Sequence, residues 1–130
     1  HRDLHSFPTR RSSDLDRGLV FANFIDFDML HGHMRDAPGY AAALEQVDGW
    51  LGRFLPSLRP DDLLILTADH GNDPTFKGSD HTREHVPLLA YRPGRPGRPL
   101  GIRDGFMDVA ASISAFFGIP APPRGTSFLG

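Results

Sequence analysis

An α/β fold, a mostly parallel sheet flanked by helices, is predicted by three observations. Two short apolar runs break into Asp and His at their carboxyl ends, a long amphipathic stretch lies between them, and a second amphipathic stretch lies near the end of the chain. The first run comprises Leu19, Val20, Phe21, Phe24 and Ile25 and ends at Asp26 and Asp28, as expected of a buried strand with polar chemistry at its end. Asp36 and Pro38 then supply helix start signals. Tyr40, Ala43, Leu44, Val47, Leu51, Phe54 and Leu55 follow at three- and four-residue spacing, a stripe that should lie against the sheet. Asp61 and Asp62 precede a second buried strand, Leu63 to Thr67, which breaks at Ala68, Asp69, His70, Gly71 and Asn72. Val86 to Tyr91 reads as a third strand, and the Pro, Gly and Arg rich stretch 92–99 as a solvated turn. The last helix spans Met107 to Phe117, with Val109, Ile113, Phe116 and Phe117 on one face and Gly118 as its stop.

Composition narrows the function classes. At 130 residues one domain is the expectation, and 39% hydrophobic with 23% charged residues is a globular rather than a disordered balance. Fourteen basic against sixteen acidic residues, with the arginines scattered, leave no electrostatic footprint for nucleic acid or an anionic membrane, so a small local ligand is the expected partner. The absence of cysteine removes thiolate metal sites and disulfides together and makes the cytoplasm the expected compartment. No apolar run approaches the roughly 18 residues of a membrane span. Residues 1–17 stand apart as a non-native or disordered leader, and HRDLHSFPTRRSSDL within it resembles a translated sequencing adapter. Residues 18–130 then form the metal-binding part.

Ligands of open α/β sheets gather outside the carboxyl ends of strands, and both Asp/His clusters fall at such ends. The first holds Asp26, Asp28, His31 and His33; the second holds Asp69, His70, Asp73, Asp80 and His81. Carboxylate and imidazole without sulfur suit manganese, zinc or iron better than calcium, and the ligand count allows two ions. A lone His or Asp beside a turn is usually a cap or a solvated side chain, and His31 and His85 are read that way. Asp26, Asp73 and Asp80 are read as turn residues or as acceptors for the second nitrogen of a metal-bound imidazole.

The string TADHGNDPTFKGSDHTREHVPLLAY is very similar to the metal motif of the phosphopentomutase family, NFIDFDMLHGHMRD resembles its upstream partner, and the closing GTSFL extends the resemblance over Gly18 to Gly130. A bare ADHG is shared across the alkaline phosphatase superfamily; the longer wording is specific. The resemblance implies a partial alkaline phosphatase-like core with two Mn2+ ions, one held by Asp69 and His70 and the other by Asp28, His33 and His81. It implies interconversion of ribose or deoxyribose 1-phosphate and 5-phosphate through a phosphorylated Thr. His31 stands where Tyr is usual, Met34 where Arg is common and His85 where Tyr is frequent; none of these removes a proposed ligand. The family's amino-terminal metal-binding Asp, its nucleophilic Thr and its cap domain have no counterpart in these residues, so an amino-terminal part of the same protein is an expected partner. The fragment alone is then expected to be inactive. Another member of the superfamily, such as a cofactor-independent phosphoglycerate mutase or a phosphodiesterase, and a non-catalytic metal-binding remnant are the alternatives.

Overall fold

The computed structural model describes residues 16–130. They belong to two compact units, the first extending to Arg95 and the second running Pro96–Gly130. The expected leader lies almost wholly outside the described residues.

In the first unit the apolar run at residues 19–25 does not become a strand. It carries no ladder hydrogen bonds, leaves Leu19, Val20, Phe21 and Ile25 exposed, and passes into a π-helical turn, Phe27–Gly32. A strand needs a neighbour to take up its backbone groups, and no described segment pairs with this one. Helix α1, Ala37–Phe54, starts where its signals place it: the Asp36 carboxylate accepts from Gly39 N at 2.9 Å, and Pro38 lies in the first turn. The Gly39 amide, and after it His31, holds the Asp36 carboxyl below its usual range. Helix α1 meets the π-helical turn rather than the strands, with Phe27 against Tyr40 at 5.4 Å, and Phe24, ahead of the turn, stands edge-on to Trp50 of α1 at 5.7 Å between ring centroids.

Strands β1, Leu64–Thr67, and β2, Leu88–Tyr91, pair antiparallel, with Leu64 opposite Tyr91 and Thr67 opposite Leu88. The class is mixed α/β, but the expected parallel arrangement is not formed among the described residues. Parallel neighbours need a crossover, usually a helix. The chain between β1 and β2 holds none, and it folds back on itself through an isolated bridge between Gly71 and Thr82. No helix among the described residues is long and apolar enough to cross a membrane.

The second unit is built on α2, Met107–Phe117, which ends as its Gly118 predicts: φ is 66° there, with Gly118 N donating to Ala115 O and Ile119 N to Ser114 O. The C-terminal tail is strapped to this helix. Asp108 accepts from Thr126 N at 2.8 Å and Arg103 Nε at 3.0 Å, while Ser112 Oγ donates to Asp108 O and accepts from Phe128 N at 2.9 Å. Ala111 and Phe128, the buried apolar residues among those described, lie here.

Candidate metal centre

Asp28 and His33 are five residues apart, and the backbone explains why that spacing brings them together. In a π-helix the repeating hydrogen bond runs between residues five apart, and His33 N donates to Asp28 O at 3.0 Å. One turn therefore stacks the two side chains, leaving His33 Nε2 at 3.3 Å from Asp28 Oδ2. The expectation of a carboxylate on a strand end is corrected to a carboxylate inside a π-helical turn.

The third member arrives from far along the chain. Strand β1 ends at Thr67, so Asp69 and His70 already lie in a bend, and the chain returns through the Gly71 to Thr82 bridge. Because His70 precedes Gly71 and His81 precedes Thr82, that bridge fixes both imidazoles at the neck of the loop, where their rings stack at 3.6 Å and 17°. His81 Nε2 reaches 3.4 Å from Asp28 Oδ1, and one donor atom each from Asp28, His33 and His81 lie within 4.8 Å of one another.

The protonation pattern suits a cation. His33 Nδ1 lies 2.6 Å from the Ser79 carbonyl, which can only accept, so Nδ1 carries a hydrogen and Nε2 is the nitrogen turned toward the Asp28 carboxylate, where a neutral ring offers its lone pair to a cation and a protonated ring pairs with Asp28 directly. At 3.3 Å the contact between Nε2 and Oδ2 calls for positive charge, supplied either by a proton on Nε2 or by a cation bound to both atoms. Ligand bonds of about 2.1 Å at octahedral to tetrahedral angles separate donor atoms by about 3 to 3.5 Å. The observed 3.3 and 3.4 Å fall in that range. His70 repeats the arrangement, with Nδ1 at 3.1 Å from Gly71 O and Nε2 at 3.7 Å from Asp69 Oδ1, but the Asp69 side chain is 84% exposed and no third protein ligand joins the pair among the described residues.

The remaining candidates lie apart from the three. His31 pairs with the helix cap Asp36 at 3.1 Å. The Asp73 carboxylate closes a turn, accepting from Thr75 Oγ1 and N, and those bonds hold its carboxyl below the usual range. Asp80 and His85 are exposed, and Asp26 precedes the π-helical turn without capping it. Two contributors are neither Asp nor His. Asn72 Nδ2 donates to Asp28 Oδ1 at 2.8 Å, a role that its place between Gly71 and Asp73 only hints at, and the Ser79 carbonyl carries no side-chain signal at all.

Comparison with known proteins agrees with this chemistry. The sequence profile of the Metalloenzyme superfamily matches residues 10–121. The chain is 57% identical over 114 residues to the phosphopentomutase of Rhizobium johnstonii, covering 88% of this chain and 28% of the relative. It is 56% identical over 115 residues to that of Anaeromyxobacter sp., covering 88% and 29%, and 53% identical over 112 residues to that of Methylobacterium radiotolerans, covering 86% and 28%. The chain thus spans less than a third of the length of these relatives.

Proposed function

We propose, since this chain belongs to the Metalloenzyme superfamily, that it is the metal-binding, carboxyl-terminal part of a phosphopentomutase, an isomerase moving phosphate between the 1- and 5-positions of ribose or deoxyribose. The observation that carries the proposal is the convergence of Asp28, His33 and His81 within a stretch so similar to phosphopentomutases. These three residues hold one Mn2+. Asp69 and His70 hold a second, whose shell is completed, together with the nucleophilic Thr, by the amino-terminal part of the same protein. In that complete protein the apolar run 19–25 joins the mostly parallel sheet of the superfamily core, and the enzyme works in the cytoplasm in nucleoside catabolism.

The residues present divide the work simply. Bound divalent ions neutralise charge on a phosphoryl group in transfer and activate the attacking oxygen. Asp28 supplies the single formal negative charge of its triad, while His33 and His81 add neutral lone pairs, so a divalent ion there keeps net positive charge for a phosphate oxygen. Ser79 holds the His33 ring in the required tautomer. The His33 and His81 side chains are 40% and 47% exposed, so the site is open to a ligand. Replacing His81 with Ala in the complete polypeptide is expected to weaken metal binding and ribose phosphate isomerisation without unfolding the protein. Unchanged turnover at low manganese would remove His81 from the site. The 130-residue chain alone is expected to show no isomerisation.

A further inference from the structure

We infer that Asn72, seated against Gly32, is a positioning residue that sets the rotation of the Asp28 carboxylate; this rests on the metal-centre reading above. A carboxylate only accepts hydrogen bonds, so the Asn72 amide must present its NH2 to Asp28 Oδ1, at 2.8 Å. Oδ1 is also the oxygen that faces His81, at 3.4 Å, while Oδ2 faces His33, at 3.3 Å. Rotation about the Asp χ2 bond is soft, and a carboxylate held at one oxygen keeps the two oxygens assigned to the two imidazoles.

Gly32 makes room for the amide. A Cβ built there would lie 2.6 Å from both Cγ and Oδ1 of Asn72, inside van der Waals contact. Gly32 is not among the glycines with positive φ, so the need for glycine is one of space rather than backbone conformation. Gly32, against the Asn72 side chain, and Gly71, its chain neighbour, are the buried residues of the first unit among those described. The backbone around Asn72 is fixed independently: Asp73 N donates to Thr82 Oγ1 at 2.7 Å, and Arg35 Nη1 donates to Asp73 O at 2.9 Å. The amide is therefore aimed before an ion arrives, as a group that tunes a ligand should be.

The test uses Co2+ as a visible probe, titrated into the 130-residue chain and followed by calorimetry and by the ligand-field absorption band. Asn72→Ala and Gly32→Ala are each expected to weaken Co2+ binding about tenfold or more and to alter the band, while circular dichroism of the metal-free protein stays unchanged. Thr75→Ala, which loosens the Asp73 turn without touching Asp28, serves as the control and should leave both readouts as they are. Wild-type affinity and an unaltered band in Asn72→Ala would overturn the inference. So would a loss of metal-free stability without loss of affinity in the folded molecules, or failure of both variants to fold, because each assigns the pair to folding alone. A wild-type chain that binds no Co2+ would overturn the metal-centre reading itself, and the inference with it.

Discussion

Asp108 in the second unit and Asp28 in the first are both withdrawn from solvent, with side chains 6% and 30% exposed, but they meet opposite partners. Asp108 is surrounded by donors: the Thr126 amide and the Arg103 guanidinium hold its carboxyl below the usual range. Its charge is fully answered by the fold. Asp28 has one neutral donor, Asn72, and otherwise faces the Nε2 atoms of His33 and His81, which are charged only when protonated. Among the described residues its ion-pair partners are these two imidazoles, which can exchange a proton for a metal ion. A carboxylate matched by a guanidinium and a backbone amide ties a structure together, whereas one matched by imidazoles can share them with a cation.

Exchanging each Asp for Asn should separate the two roles. Asp28→Asn is expected to lower divalent-metal affinity about a hundredfold or more, since it removes the only charged ligand of the triad, and to leave the metal-free melting temperature nearly unchanged. Calorimetry and thermal melting on the same samples read both. Asp108→Asn should do the reverse, lowering the melting temperature while the metal affinity of the folded protein is preserved. If Asp28→Asn unfolds the chain with no metal present, the contrast between the two residues is broken.

Acid should reach the two regions differently. Because the pKa of Asp108 is depressed in the folded state, the stability it lends is present above the unfolded-state value of about 3.9 and is lost as pH falls through the lower folded value. Acid unfolding followed by circular dichroism should be flatter below about pH 4 in Asp108→Asn than in the wild type. Metal occupancy should also fall with decreasing pH, because protons compete for the lone pairs of His33 and His81. That loss should be unaffected by Asp108→Asn.

Smaller effects sharpen the account of the second unit. Ser112→Ala leaves the buried Phe128 amide without its acceptor and should cost about 1 to 3 kcal/mol in denaturant unfolding. Gly118→Ala forces a side chain into the left-handed region at the end of α2 and should cost about 1 to 2 kcal/mol. Neither substitution should change metal affinity.

What could be read in the sequence follows from what each feature depends on. Helices α1 and α2 and their end signals at Asp36 and Gly118 are local, and the structure places them where the pattern does. The run 19–25 was legible as apolar but not as unpaired, because strand formation depends on a neighbour. Asp28, His33 and His81 were singled out by residue type, yet the device that brings the first two together, a π-helical turn, has no residue preference strong enough to announce it. Ser79 acts through its carbonyl and Asn72 across 44 residues of chain, so only the folded geometry reveals them.

The most direct measurement is the anomalous scattering of manganese in crystals of the Mn2+-loaded protein. The expected result is a peak bonded to Asp28 Oδ, His33 Nε2 and His81 Nε2, stronger than any peak beside Asp69 and His70, because three protein ligands hold an ion better than two. A map with manganese only at Asp69 and His70, or with none touching Asp28, would contradict the assignment of the triad as the metal centre.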